Sequence, residues 1–214
     1  MGAGTLKASA VTAKASASVA PLLTNSQISV TVNGTRVFLN GSSEVKATDV
    51  LARNGVIHVI DQVLLPPQDS ATLQNIVSIV QTNSNFSTLL KLVSDAGLAE
   101  TLQNGNWTVF APTDTAFAKL LSTLTPAQTN NLLAKETLTK VLLYHVVPGT
   151  LLDRAVLALA DDGIFTAETS TVKPSLAGAN AFINSSKITS ANLRASNGVI
   201  HVIDTVLVPA GLAL

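Results

Sequence analysis

The stretch N-G-V-I-H-V-I-D-Q-V-L-L-P at residues 54–66 returns as N-G-V-I-H-V-I-D-T-V-L-V-P at residues 197–209, with eleven of thirteen positions identical. Its centre, Val-Ile-His-Val-Ile, is rich in β-branched residues and is bounded by Asn-Gly and by Pro, which reads as a buried strand. Just upstream, V-F-L-N at residues 37–40 corresponds to A-F-I-N at residues 181–184 once a one-residue gap is allowed. A period of about 143 residues is too long for a solenoid and matches a whole duplicated domain. The second copy closes a full-length unit, whereas the first closes one that has lost its front half. The Pro and polar cluster P-P-Q-D-S at residues 66–70 has linker composition and places the boundary. The expected division is a truncated C-terminal half with an Ala/Ser-rich leader at residues 1–67 and a complete unit at residues 68–214.

Composition narrows the function classes. Apolar residues make up 47% and charged residues 12%, which is the balance of a packed core. Thirteen basic and thirteen acidic residues cancel, and no basic run accumulates to neutralise a phosphate backbone, so nucleic acid is not an expected partner. The absence of Cys excludes disulfides, thiolate nucleophiles and Cys-based metal sites. No stretch of about eighteen apolar residues is present, so no transmembrane segment is expected. The leader lacks the apolar block and basic flank of a signal sequence and reads as the truncated or vector-modified edge of a longer chain. Five Asn-x-Ser/Thr sequons, at Asn33, Asn40, Asn85, Asn106 and Asn184, are close to the number this composition produces by chance and assign no address.

In the complete unit, Phe86, Leu89, Leu90, Val93 and Ala96 recur at helical spacing and Gly97 follows as a stop. Thr125-Pro126 is a second helix start, with helices running on towards Val141. Strands are expected at residues 107–110, 144–147, 163–168, 181–183 and 199–208, and in the truncated half at residues 28–32, 35–39 and 56–65. Helices followed by a strand-rich second half indicate an α+β fold, with helices packed at one side of mainly antiparallel sheets.

The three histidines, His58, His145 and His201, lie near Asp residues and raise the question of hydrolysis. On a strand, His201 and Asp204 are three apart and face opposite ways, as are His58 and Asp61, so neither pair forms a local dyad. Two histidines and no Cys in the complete unit make a metal site unexpected, and no cofactor is expected. No nucleophile elbow, H-E-x-x-H, phosphate loop or dinucleotide fingerprint occurs, so the chain does not read as an enzyme. Asp161-Asp162 before Gly163 reads as a solvated turn. Thr113 or Asp114 is placed to cap the helix carrying Phe117, and one of them is expected to hydrogen-bond His145 and so fix the surface around Tyr144. Tyr144 is the only tyrosine; packing into the core and a role at an interface are both open to it. Trp107 at a strand start reads as an anchor. The imidazole of His201 is expected to find a partner beneath a loop.

Three motifs in order carry a resemblance: T-V-F-A-P-T-D-T-A-F at residues 108–117, Tyr144-His145, and N-G-V-I-H-V-I-D at residues 197–204. They resemble the fasciclin domain, of the beta-Ig-h3/fasciclin adhesion family. The likeness covers residues 68–214, and only the later half of a domain at residues 20–67. It implies a wedge of two mainly antiparallel sheets with a helical layer, in a secreted, cell-surface or, in a bacterium, periplasmic protein. It further implies an adhesion module that binds surface or matrix proteins or polysaccharides, or copies of itself. Tyr144 and His145 are the implied binding residues, and Thr108, Phe110, Pro112, Thr113, Asp114, His201 and Asp204 the structural motif. The pentapeptides Asn-Lys-Asp-Ile-Leu and Glu-Pro-Asp-Ile-Met, tied in animal relatives to integrin attachment, are absent. The alternative is a small apolar or carbohydrate ligand held in a cavity between helices and sheet.

A unit without its front half is expected to show bare strand edges and an uncovered apolar face. Such a half packs against the complete unit, borrows a partner from another molecule, or is the least stable part of the chain.

Overall fold

The computed structural model describes residues 16–19, 28–64 and 73–212. The expected linker at residues 66–70 and most of the Ala/Ser-rich leader lie outside the described residues.

The first part of the chain folds as one antiparallel sheet of five strands in chain order: β1 (Ser16–Val19), β2 (Ile28–Asn33), β3 (Arg36–Leu39), β4 (Ser43–Ala52) and β5 (Gly55–Ile60). Gly34, with φ of 59°, supplies the left-handed residue in the turn between β2 and β3. The second part opens with helices α1 (Ile76–Thr82), α2 (Ser87–Ala96) and α3 (Ala99–Asn104), then β6 (Trp107–Pro112). Helices α4 (Asp114–Thr123), α5 (Pro126–Leu133) and α6 (Lys135–Tyr144) follow. β7 (Val146–Pro148), α7 (Asp153–Ala158), β8 (Ile164–Phe165) and β9 (Thr171–Val172) lead to β10 (Pro174–Ala177), β11 (Asn180–Ile183), β12 (Ser186–Ala195) and β13 (Gly198–Ile203). Six of these strands form a sheet in the order β10-β11-β12-β13-β6-β7, and β8 pairs with β9.

The helix signals act as read. α2 ends on Gly97 in the left-handed conformation, φ 75°, and α5 begins with a reciprocal capping box between Thr125 and Gln128 behind Pro126. Helices run on past Val141, with the extended Ala134 separating α5 from α6.

Five strand expectations need correction. Tyr144 closes α6 and His145 is its cap, so the strand expected at residues 144–147 begins only at Val146. The apolar run K-V-L-L-Y-H-V-V-P is too short for periodicity to separate the two states. The strand expected at 163–168 is two residues long, the one expected at 199–208 ends at Ile203, and the one expected at 56–65 ends at Ile60. The ten-residue strand β12 was not expected, because K-I-T-S-A-N-L-R is largely polar and its pairing with β13 is interrupted by two register shifts.

Within the six-stranded sheet β13 and β6 pair in parallel, with Gly198 opposite Trp107 through to Ile203 opposite Pro112. Both strands are covered on both faces. On one side Val109, Ala111 and Ile200 pack with Ile76, Leu89, Val93 and Val141 of the helical layer. On the other, Phe110 and Ile203 pack with Leu151, Val156, Ile164 and Ile183. Alternation along β6 sends Val109 and Phe110 to opposite sides. The result is the α+β layering that the sequence indicates.

Phe38 of β3 is fully buried in the second of these clusters, so the five-stranded sheet packs on the second part of the chain. Polar contacts reinforce the seam. Thr31 Oγ1 accepts the Thr150 N–H at 3.1 Å and donates to the Thr150 carbonyl at 3.2 Å, and the Leu152 N–H donates to the Gly41 carbonyl at 2.6 Å. Arg36 pairs with Glu44 at 3.0 Å and with Asp162 at 3.5 Å, and donates to the Ala158 carbonyl. Asp162 thus joins a surface ion pair from its exposed turn.

Candidate binding site around Tyr144 and His145

His145 follows the last turn of α6 and is buried, with 2% of its surface exposed. Its Nδ1 lies 2.7 Å from the Val141 carbonyl and therefore carries the proton; its Nε2 accepts the Leu207 N–H at 2.9 Å. Burial drives its pKa down to about 4, against a raising contribution from the Val141 bond, so the ring is neutral near pH 7. The bond to Asp114 or Thr113 expected from the sequence is not made. Thr113 caps α4 through the Ala116 N–H at 3.3 Å, while Asp114 reaches the start of α2. Asp114 accepts the Ser87 hydroxyl at 2.6 Å and the Thr88 N–H at 2.7 Å. Slight burial works to raise the Asp114 pKa, but the bonds from Ser87 and Thr88 outweigh it and hold the carboxyl below its ordinary value. The first motif is therefore tied to α2, because two free amides at a helix start attract a carboxylate more strongly than a neutral imidazole does.

Tyr144 is also buried, 5% exposed, within the second core cluster. Its hydroxyl donates to the Thr171 carbonyl and accepts from Asn184 Nδ2, both at 3.1 Å. Thr171, Lys173 and Asn184, which are bonded to it or to one another, are exposed, and Leu176 of the adjoining β10 is exposed by 61%. Asn184, φ 53°, also accepts the Lys173 N–H at 2.8 Å, so the tyrosine hydroxyl and this left-handed asparagine together fix one surface. Asn184, Thr171 and Lys173 were not among the residues singled out by sequence; the A-F-I-N repeat was the available signal for Asn184.

The remaining motif residues are scaffold parts. Thr108 Oγ1 donates to the Gly149 carbonyl at 2.7 Å and accepts the Leu151 N–H at 2.8 Å, while Phe110 stacks on His201 with ring centroids 5.7 Å apart. His201 is fully buried; its Nε2 donates to the Leu151 carbonyl at 2.9 Å, the loop partner expected of it, and Nδ1 accepts the Asn192 N–H at 3.4 Å. Burial lowers the His201 pKa despite the opposing Leu151 bond and the charge of Asp153. Asp204 points elsewhere, accepting the Lys187 N–H at 2.9 Å. Pro112 ends β6 opposite Ile203, and Trp107 donates its indole N–H to the Thr101 carbonyl at 3.1 Å, as an anchor. Asn197, unflagged at its own position, joins the Ile76 N–H to the carbonyls of Leu102, Gln103 and Gly105.

Among the described residues no group of three His, Cys, Asp or Glu side chains converges as metal ligands would. A cavity of about 40 Å³ lies between the helical layer and the sheet, lined by Val77, Leu89, Val93, Val109, Phe110 and His145. A drug-sized or sugar ligand needs a pocket of about 300 Å³ or more. No helix among the described residues is long and apolar enough to cross a membrane.

The layered α+β architecture, with motif side chains bonded to backbone, defines a scaffold domain. The family model of the Fasciclin domain matches residues 1–66 and 84–209, and the chain belongs to that family. It is 40% identical over 152 residues to Protein sll1483 of Synechocystis, covering 66% of this chain and 76% of that protein. It is 34% identical over 171 residues to transforming growth factor-beta-induced protein ig-h3 of the pig, covering 78% of this chain but only 23% of that protein. It is 29% identical over 185 residues to human periostin, covering 86% of this chain and 21% of that protein. The solved structure of a FAS1 domain pair from the insect cell adhesion molecule Fasciclin I shares the fold, with a TM-score of 0.56 and 19% identity over 96% of this chain and 76% of that one.

Proposed function

We propose that this chain is an adhesion or binding module working outside the cell or on its surface, and that it performs no catalysis. The observation that carries the reading is the bonding of the two buried histidines in the complete unit. Each has both ring nitrogens engaged by backbone groups, and each is held neutral. A general base needs a ring nitrogen within reach of substrate, and these have none to offer. The interior chemistry is spent on shape, which leaves recognition to surface loops. The adhesive role of the structural neighbour supports the same reading.

Tyr144 acts in binding as a positioning residue, holding Thr171 and Asn184 and through Asn184 the backbone of Lys173, beside which Leu176 is exposed, and His145 fixes the end of the helix that carries Tyr144. The partners in view are surface or matrix proteins, polysaccharides, or further copies of the chain. The division into a truncated half at residues 1–67 and a complete unit at residues 68–214 is part of this reading. Immobilised full chain, screened against matrix polysaccharides, whole cells and the protein itself, tests it. Binding that falls at least fivefold in Leu176→Ala or Lys173→Ala is expected; binding to nothing in the panel would count against adhesion.

A further inference from the structure

Asn-Gly occurs five times in the chain, at Asn33, Asn40, Asn54, Asn104 and Asn197. The pair carries a reaction of its own. Glycine has no Cβ to shield its main-chain nitrogen, which can therefore reach the side-chain carbonyl carbon of the asparagine before it. Closing that ring requires the asparagine to rotate in both backbone and side chain, so an asparagine held in place resists it.

Four of the five are held. Asn33 is 4% exposed, and its side chain accepts the Phe165 N–H and donates to the Phe165 carbonyl. Asn40 Oδ1 accepts the Ser29 N–H at 3.0 Å, and a Cβ on Gly41 would lie 2.8 Å from the Thr150 carbonyl oxygen. Asn104 closes α3, and a Cβ on Gly105 would lie 2.1 Å from the Trp107 indole nitrogen. Asn197 accepts the Ile76 N–H at 2.9 Å and donates to the Leu102 carbonyl at 2.6 Å, while a Cβ on Gly198 would lie 1.8 Å from the Trp107 carbonyl oxygen.

Asn54 is the counterpart of Asn197 in the repeat and stands in the opposite condition. It is exposed in the turn between β4 and β5, and its side chain makes no hydrogen bond among the described residues. A Cβ on Gly55 would meet no atom within 4 Å. The two hairpins close alike, Ala52 opposite Gly55 and Ala195 opposite Gly198. The turn is thus common to both copies, and the hold on the asparagine is what differs.

We infer that Asn54 is a site of spontaneous modification, converting to aspartate and isoaspartate, while Asn197 in the same local sequence keeps its amide. The Gly55 nitrogen loses its proton to water and attacks Asn54 Cγ. The new bond closes a succinimide, and the side-chain nitrogen leaves as ammonia, taking up a proton in place of the one Gly55 lost. Water then opens the ring at either carbonyl, so that amide and water become acid and ammonia with no further reactant. The product sets a carboxylate beside Arg53. Its isoaspartyl form also lengthens the turn backbone by a methylene, which disturbs the register of β4 against β5. The first copy thus carries a chemical clock that the second lacks. This inference stands on the repeat and not on the adhesive reading.

Peptide mapping of the full chain, sampled over time at neutral pH, tests it. In the folded chain Asn54 is expected to convert at least about tenfold faster than Asn197, because local opening governs access to the ring-closing geometry. In denaturant the two rates are expected to agree within about threefold, since that hold is gone. Gly55→Val, whose branched side chain meets open space but crowds the attacking nitrogen, is expected to suppress the conversion. Equal rates at Asn54 and Asn197 in the folded chain would overturn the proposal, as would faster conversion at Asn33, Asn40 or Asn104. A gap that persists unchanged in denaturant would overturn it too, because Arg53 in place of Ser196, and not the fold, would then set the rate.

Discussion

The hairpins β12–β13 and β4–β5 make the same local bonds in opposite surroundings. Ser186 donates to the Thr205 carbonyl at 2.6 Å and Ser43 to the Gln62 carbonyl at 2.9 Å; Asp204 accepts the Lys187 N–H and Asp61 the Glu44 N–H. Nδ1 of His201 accepts the Asn192 N–H at 3.4 Å, and Nδ1 of His58 the Asp49 N–H at 3.5 Å. Asn192 and Asp49 are both left-handed, at φ 61° and 57°. Yet His201 is sealed beneath Leu151, and Ile200 beneath the helices, while Ile57 faces outward. Hairpin geometry is therefore written in the repeat itself. Burial, and the stability that follows from it, is conferred on β13 by β6 and the helical layer, whereas among the described residues β5 pairs with β4.

The sharpest way to break that contrast is to place the same side chain in both glycines. Gly198→Ala drives a methyl group into the Trp107 backbone and is expected to cost about 4 kcal/mol or more, enough to unfold the part of the chain built on the six-stranded sheet. Gly55→Ala is expected to change stability by no more than about 0.5 kcal/mol. Denaturant melts of the two variants decide it, and equal losses would mean that the copies are not differently partnered. Next in size, Ile200→Ala is expected to cost about 2–5 kcal/mol by opening a hole beneath α1 and α2, while Ile57→Ala costs under about 1 kcal/mol.

Acid sharpens the comparison further. The folded-state pKa of His145 is depressed to about 4 from 6.5, so the unfolded chain binds more protons between those values. The stabilisation is complete above pH 6.5 and is lost as pH falls towards 4, amounting to about 3 kcal/mol. His201, shifted in the same direction, adds to the loss. Melts between pH 7 and 4 should show the complete unit weakening, and His145→Gln should flatten the slope. The smallest expected effect is that of Tyr144→Phe, about 1 kcal/mol for the lost bonds to Thr171 and Asn184, with amide shifts confined to residues 171–184.

Much of this was legible because it is local. The duplicated strand, the stop at Gly97 and the cap at Thr125 each depend on neighbours within a few positions. The partner of Asp114 was misread because Ser87 and Thr88 lie far back in the chain, and no spacing rule brings them forward. The parallel pairing of β6 with β13 was equally out of reach, since it joins segments about 90 residues apart through intervening helices. Tyr144 and His145 were found as a motif, and packing of Tyr144 into the core was one of its readings, but the burial of His145 was not read, because a short apolar run does not reveal which layer will cover it. β12 escaped for the opposite reason: its two register shifts break the alternation by which a strand is recognised.

Amide hydrogen exchange along the two copies of Gly-Val-Ile-His-Val-Ile, in one sample of the full chain, tests the central claim most directly. Slow exchange throughout Gly198–Ile203, with faster exchange in Gly55–Ile60, which among the described residues pairs with β4 on one side, is the predicted result. Equal and strong protection at both would contradict it.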